Sequence, residues 1–301
     1  MKILIAGSEG FIGGHCVDYF MQHKHEVTGI DLYEQPSKKY NYIKVSRLSP
    51  EMDEVLAQNT FDAVVNAAGS GNVPYSMTHP VLDFEANSLD TIRLLDAIRK
   101  QQPGCKYIHL SSAAVYGNPQ KLPIKEEDVA APLSPYGWHK LVSENLCKEY
   151  THIYHLHTAV LRPFSVYGPG LKKQLFWDLF VKASRANGSF DLFGTGKESR
   201  DYIFVKDLVH GIDTVLQQGA MRGEVYNLAS GIETRIEEAV QTYFDALQIK
   251  PAYRFNGTIR EGDPLNWRAD ISRIKHLGFN PQYNLLEGMA ELAKWVKKVN
   301  G

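Results

Sequence analysis

Along the first half of the chain, short runs rich in valine and isoleucine alternate with stretches whose apolar residues recur at helical spacing. The runs predict strands at Lys2–Ala6, His25–Ile30, Tyr42–Val45, Ala63–Asn66, Lys106–Leu110 and Thr158–Leu161. Helices fit between them, for example Phe11–His23, Phe84–Lys100 and Ser134–Tyr150. This alternation is the mark of an α/β fold with a doubly wound parallel sheet. Beyond about Tyr167 it loosens. There the pattern predicts a helix over Lys172–Asn187, an extended Phe190–Phe193 and helices over Ile236–Leu247 and Leu285–Val299. The last helix ends on Lys297 and Lys298, charges that suit a helix C-terminus. The expected division is a sheet-building region over 1–167 and a smaller portion over 168–301, some of whose segments return to the first. No repeat, low-complexity segment or obvious linker interrupts the chain.

Composition narrows the function classes. The 301 residues are 44% hydrophobic and 22% charged, ordinary values for a globular protein. A net charge of -1 gives no reason to expect nucleic acid or an acidic membrane as a partner. No apolar run approaches the ~20 residues of a membrane span. The apolar start Met1–Ala6 is too short for a signal peptide and runs straight into glycines. Cys16, Cys105 and Cys147 are isolated, so neither disulfides nor a zinc framework is expected. The cytoplasm is the expected location.

The first strand leads into Gly7-Ser8-Glu9-Gly10-Phe11-Ile12-Gly13 and then a helix. Glycines at such a turn let the backbone approach a pyrophosphate, which then sits at the positive end of the helix. That context makes the turn a dinucleotide site on a Rossmann-type sheet. Asp31 follows the second strand, where a carboxylate can bind the adenosine ribose and repel a 2′-phosphate. NAD is therefore expected over NADP, a preference that Lys38 and Lys39 nearby could soften.

Tyr136 and Lys140 share a helix face at i and i+4. A free tyrosine ionises near pH ~10, and a neighbouring ammonium, with the cationic nicotinamide ring, is expected to favour the phenolate as a base. Lys140 can also hold the nicotinamide ribose. Tyr40 and Lys44 have the same spacing but lie near a strand, where i and i+4 stand apart. Ser112, just past the Lys106–Leu110 strand, is placed to hydrogen-bond a reacting hydroxyl or carbonyl. His152, His155 and His157 leave a helix for a strand, so no metal is expected there.

With these residues assembled, the chain resembles the extended short-chain dehydrogenase/reductases that act on nucleotide sugars, the epimerase/dehydratase group that includes the UDP-glucose 4-epimerases. The resemblance implies that Ala67, Ala68 and Gly69, with Asn87 and Pro163, pass beside NAD together with Gly7, Gly10, Phe11, Ile12 and Gly13. It implies sugar contacts from Asn72, Ser165, Gln174 and Trp267, alongside Ser112 and Tyr136. Arg200, in Arg200-Asp201-Tyr202-Ile203-Phe204-Val205-Lys206-Asp207, and Arg260, in Arg260-Glu261-Gly262-Asp263, resemble the pair that grips the diphosphate, as guanidinium forks can. A homodimer packed through Phe84–Lys100 and Ser134–Tyr150 is also implied.

Departures from the family pattern refine the chemistry. Dehydratases and decarboxylases of this group carry acidic residues after the catalytic hydroxyl residue; here Ala113 and Ala114 follow Ser112, and methyl groups transfer no protons. Simple hydride chemistry remains. Ser165 and Gln174 stand where asparagines are usual, Val45 and Ser46 where an adenine-contacting aspartate is frequent, and Asp90 where a helix glycine is frequent. Trp267, a large residue, points to a sugar without a 2-acetamido group. The expectation is an NDP-hexose 4-epimerase of the UDP-glucose/UDP-galactose type. The alternatives are an NAD(P)H-dependent 4-keto-sugar reductase or sugar dehydrogenase, or an inactive cofactor-sensing protein on the same fold.

Overall fold

A computed structural model describes residues 1–34, 36–37, 40–46, 51–173, 175–258, 262 and 264–300. In chain order the elements are β1 (Lys2–Ala6), α1 (Phe11–Gln22), β2 (Glu26–Asp31), β3 (Asn41–Lys44), α2 (Glu51–Gln58), β4 (Ala63–Asn66), α3 (Val73–Thr78) and α4 (Pro80–Phe84). A π-helical turn (Glu85–Leu89) joins α4 to α5 (Asp90–Gln101), followed by β5 (Lys106–Leu110), a 3-10 turn (Ala113–Val115) and α6 (Pro135–Tyr154). Then come β6 (His157–Pro163), β7 (Ser165–Tyr167), α7 (Leu175–Arg185), β8 (Phe190–Leu192), β9 (Ser199–Phe204), α8 (Val205–Gln218) and β10 (Arg222–Leu228). The chain ends with β11 (Glu233–Arg235), α9 (Ile236–Leu247), β12 (Tyr253–Phe255), α10 (Ser272–Lys275) and α11 (Leu285–Asn300).

Seven strands form one parallel sheet in the order β10-β6-β5-β4-β1-β2-β3. Its central strands β1 and β4 are apolar and buried nearly throughout because both faces are covered there. Alternate residues feed two cores: Ile3, Ile5, Val65 and Ile108 on one face, Leu4, Ala6, Val64 and Tyr107 on the other. The order reverses between β1 and β4, and a doubly wound sheet opens its ligand crevice at the carboxyl ends beside such a reversal. There the Gly7 turn and the Ala67–Gly69 segment meet.

Two findings correct the sequence expectations. The single helix expected over Phe84–Lys100 is interrupted by the π turn, within which Asn87 donates to the carbonyls of Ser70 (3.2 Å) and Asp83 (3.1 Å). The alternation also resumes late: α8 packs on α1, and β10 closes the far edge of the sheet against β6. The remaining strands make a three-stranded sheet, β11-β9-β7, and the pair β12-β8. These enclose a third core with α9 and α11, centred on Tyr202, Phe204, Tyr243 and Met289. Among the described residues, no helix is long and apolar enough to cross a membrane.

Candidate active site

At the reversal point the glycines act through the space they leave. Gly7 has φ +77°, and a Cβ there would lie 2.7 Å from the Ala68 backbone. A Cβ on Gly13 would lie 2.0 Å from the Gly7 carbonyl oxygen, so α1 sits directly on the turn. Gly10 caps α1 without a side-chain hydrogen bond, and the first N–H groups of the helix have no carbonyl a turn earlier to reach. Gly10, Phe11 and Ile12 line a cleft of about 750 Å³, facing Ala67, Ala68 and Gly69 from the end of β4. Asn66 shapes that strand end: its amide donates to the Tyr107 hydroxyl (2.8 Å) and its carbonyl accepts the Ala68 N–H (3.2 Å). Gly69, at φ +120°, leaves room for the Asn87 side chain, which a Cβ would approach to 2.6 Å. Asp31 is oriented by the N–H groups of Glu9 (2.9 Å) and Leu32 (2.7 Å), one strand away from the turn. This cradle, with bare backbone at the helix end and an oriented carboxylate beside it, fits a dinucleotide.

Farther along the same cleft lie Ser112, Tyr136, Lys140, Pro163, Ser165, Arg200 and Trp267. Ser134 caps α6 by accepting the Gly137 N–H at 3.2 Å, with Pro135 at the first helical position, which delivers Tyr136 in the opening turn. Gly137 lets that turn press on the 3-10 turn, since a Cβ there would lie 2.7 Å from the Ala114 carbonyl oxygen. The Ser112 hydroxyl accepts the Ala114 N–H at 3.1 Å and, facing Tyr136 across the cleft lining, favours the ionised form of its phenol. Lys140 donates to the Leu110 carbonyl at 2.9 Å, with its ammonium 6.0 Å from the centre of the Tyr136 ring. The three residues taken from the sequence as catalytic are therefore brought together.

In the protein alone, burial dominates their electrostatics. Burial pushes Tyr136 up to about 12; the Ser112 hydrogen bond pulls it down and the charge of Asp83 pushes it further up. Lys140 is pushed down to about 8 by burial, opposed by Asp83, Glu144 and Cys147. The ammonium one helical turn away does not by itself offset the desolvation of the phenol. Asp83, which carries part of this balance, was not foreseen. It is fully buried in α4, and one carboxylate oxygen meets His139 Nδ1 at 2.7 Å. The two are 56 residues apart, and nothing in the local pattern pairs them.

The remaining expected contacts divide. Arg200 reaches the cleft with its guanidinium 5.6 Å from the Trp267 ring centre, and it donates to the carbonyls of Ser199 and Leu265. Trp267 is fixed by its indole N–H on the Gly117 carbonyl at 3.0 Å. Asn72 is spent differently: its oxygen caps α3 by accepting the Tyr75 N–H at 3.1 Å, while its neighbours Gly71 and Val73 line the cleft. Gln174 and Arg260, with Lys38 and Lys39, lie outside the described residues. In the Arg200–Asp207 segment the acids are structural. Asp201 accepts three backbone N–H groups and the Ser230 hydroxyl, joining β9 to the loops at Ser230 and Ala269. Burial nevertheless pushes it up to about 6. Tyr40 donates to Ser8 and Glu9, and Lys44 pairs with Glu34, so that spaced pair lies apart from the cleft.

Comparison with known proteins agrees with this geometry. A profile of the NAD dependent epimerase/dehydratase family matches residues 3–229. A putative UDP-glucose 4-epimerase of Methanocaldococcus jannaschii is 30% identical over 99% of both chains. The UDP-glucose 4-epimerase of Thermotoga maritima, solved with UDP-glucose, superposes with a TM-score of 0.90 at 26% identity, covering 100% of each chain. The UDP-glucuronic acid 4-epimerase of Bacillus cereus, solved with UDP-glucuronic acid and NAD, also reaches 0.90 at 26% identity, over 99% of this chain and 100% of that one. From its glycine turn to the last strand of its parallel sheet, the chain belongs to the NAD dependent epimerase/dehydratase family.

Proposed function

We propose that the protein is a nucleotide-sugar 4-epimerase for an NDP-hexose of the UDP-glucose/UDP-galactose type. The observation that carries this reading is the convergence of Ser112, Tyr136 and buried Lys140 on one cleft, with only Ala113 and Ala114 following Ser112. Tyr136 takes the C4-hydroxyl proton, Ser112 holds the same oxygen, and Lys140 supplies positive charge beneath both. The glycine turn, with Phe11, Ile12 and Ala67–Gly69, would hold NAD, which would supply the hydride acceptor and donor for C4. Because burial pushes the Tyr136 phenol up to about 12, further positive charge in the cleft would be required to draw it into range. Arg200 and Arg260 are assigned to the diphosphate. The relatives named as UDP-glucose 4-epimerases along nearly their whole length support this class of reaction.

We also propose a homodimer. Val81 is 68% exposed and Trp138 53%, and Leu82, Phe84 and Val142 are exposed around them on α4 and α6. Such a cluster of apolar side chains in contact with water marks an interaction surface.

The test is to purify the protein without added cofactor, identify any nucleotide released on denaturation, and incubate it with UDP-glucose or UDP-galactose without free NAD. Retained NAD and interconversion are expected, with UDP-N-acetylglucosamine slower if the bulk of Trp267 in the cleft lining meets the sugar, as the reading requires. UDP-glucuronic acid belongs in the same panel. Tyr136→Phe should keep the NAD and lose about 100-fold or more in kcat. Protein that arrives empty and turns over only a 4-keto sugar supplied with NAD(P)H would make it a reductase.

A further inference from the structure

Beside Ser112 and Lys140, running from the cleft wall at Ser111 into the interior, is a chain of buried polar groups that the proposed reaction does not use. Glu144 lies one helical turn after Lys140 and is fully buried. Arg162, at the end of β6, grips both its carboxylate oxygens, Nε to Oε1 at 2.9 Å and a terminal nitrogen to Oε2 at 2.6 Å. Ser111, the residue before Ser112, donates its hydroxyl to the same Oε1 at 2.5 Å. The other terminal nitrogen of Arg162 donates to the Tyr116 hydroxyl at 2.8 Å, beyond the 3-10 turn. Tyr116 in turn donates to Asn227 on β10 at 2.6 Å.

These contacts join the pieces whose relative placement determines the site: the helix that carries Tyr136 and Lys140, the strand end that carries Ser112, and the strand end leading to Pro163 and Ser165. Buried ion pairs are poor sources of net stability, because desolvating two charges consumes most of their attraction. What a two-pronged guanidinium fork does supply is fixed geometry. We infer that the Glu144–Arg162 pair, with Ser111, is a positioning device that sets the distance between the Ser112 and Tyr136 hydroxyls. Glu144 and Arg162 do not line the cleft, and Ser111 at its wall turns its hydroxyl to Glu144, so the three act through Ser112 and α6. The inference rests on the reading of Ser112, Tyr136 and Lys140 as the reacting set.

Two variants separate positioning from bulk stability. Ser111→Ala removes one hydrogen bond and leaves the ion pair. Glu144→Leu/Arg162→Met replaces both charges with apolar groups, an exchange that buried ion pairs commonly tolerate. On NAD-loaded protein, the melting temperature, kcat and KM for UDP-glucose are measured, with the pH titration of tyrosinate ultraviolet absorbance referenced to Tyr136→Phe. Melting temperatures near the parent are expected for both variants. In Ser111→Ala, kcat should fall about ten-fold, as a displaced reacting pair requires, while KM stays within about three-fold. Tyr136 should titrate at higher pH in both, because the Ser112 hydrogen bond that favours its phenolate is weakened. Parent-like kcat and parent-like Tyr136 titration in Ser111→Ala overturn the inference, and that variant decides alone if the double variant does not fold. The titration needs no sugar. If the parent turns over no nucleotide sugar, the functional reading fails while the titration still judges the positioning.

Discussion

Lys140 illustrates how one side chain can be set against the stability of the protein that holds it. Buried, with the Leu110 carbonyl as its hydrogen-bond acceptor, it titrates near 8 instead of 10.5. The unfolded chain binds its proton more tightly, so a charged Lys140 weakens folding at every pH below about 8. That penalty fades as pH rises from the folded value, where the buried amine loses its proton, and is gone above the unfolded one, where it is neutral in both states. The shift corresponds to about 3 kcal/mol, and losing the Leu110 hydrogen bond offsets about 1 of these. We therefore expect cofactor-free Lys140→Met to be more stable than the parent at pH 7, by roughly 2 kcal/mol. The gain should shrink as pH rises above 8, while epimerisation is lost throughout. Denaturant melts at several pH values measure it; a variant less stable than the parent at pH 7 would show that the ammonium is stabilised by partners stronger than its burial. Ser112, Tyr136 and Lys140, which the fold brings to one cleft, could be singled out because each is signalled locally, by helical spacing or by a strand end. The Asp83–His139 and Glu144–Arg162 pairs were not, since each joins residues 56 or 18 positions apart through the fold alone.

Among the elements, β1, α1 and the turn between them were read correctly because the local pattern and the tertiary role coincide. The turn is also where a small change should have divided effects. Gly13→Ala would drive a methyl to 2.0 Å from the Gly7 carbonyl, and neither partner can yield without moving α1 off the sheet. Overpacking of this kind costs about 1–3 kcal/mol, so a lower melting temperature even without cofactor is expected. Gly10 has φ -72°, which alanine accepts, and its added methyl would meet only the Gly7 carbonyl at 3.1 Å. Gly10→Ala should melt within about 1 kcal/mol of the parent. It should still bind NAD more weakly, because Gly10 lines the cleft. Calorimetry with NAD and a thermal melt of each variant separate the two; equal melting of both would contradict the packing of α1 on the turn. Elsewhere the local pattern misled. Strand β10 reads Arg222-Gly223-Glu224-Val225-Tyr226-Asn227-Leu228, and its buried Asn227 is satisfied by Tyr116, Ile124 and Asp270. A polar residue paired over such distances hides a strand from any reading of hydrophobic runs. In the same way, the π turn at Asn87 is hidden within a pattern that helical spacing alone reads as continuous.

For the whole molecule, the placement of the reacting helix at the surface has a consequence. Helix α6 turns Tyr136, Lys140 and Glu144 inward, while Trp138 and Val142, one turn apart, face out beside Val81, Leu82 and Phe84 of α4. A single face that pairs with itself about a two-fold would cover all five at once. On a monomer these side chains remain in water, where each unburied aliphatic or aromatic group forgoes about 1.5–3 kcal/mol of transfer energy. We expect the parent to run at dimeric mass in light scattering, and Val81→Glu/Trp138→Glu to run as a folded monomer. Because α6 also carries Tyr136 and Lys140, the monomer should lose activity through kcat more than through KM, with its melting temperature lowered and made independent of protein concentration. A parent of monomeric mass at working concentration would remove the dimer from the account. The apolar face of α4 and α6 would then require a partner other than a second copy of this chain.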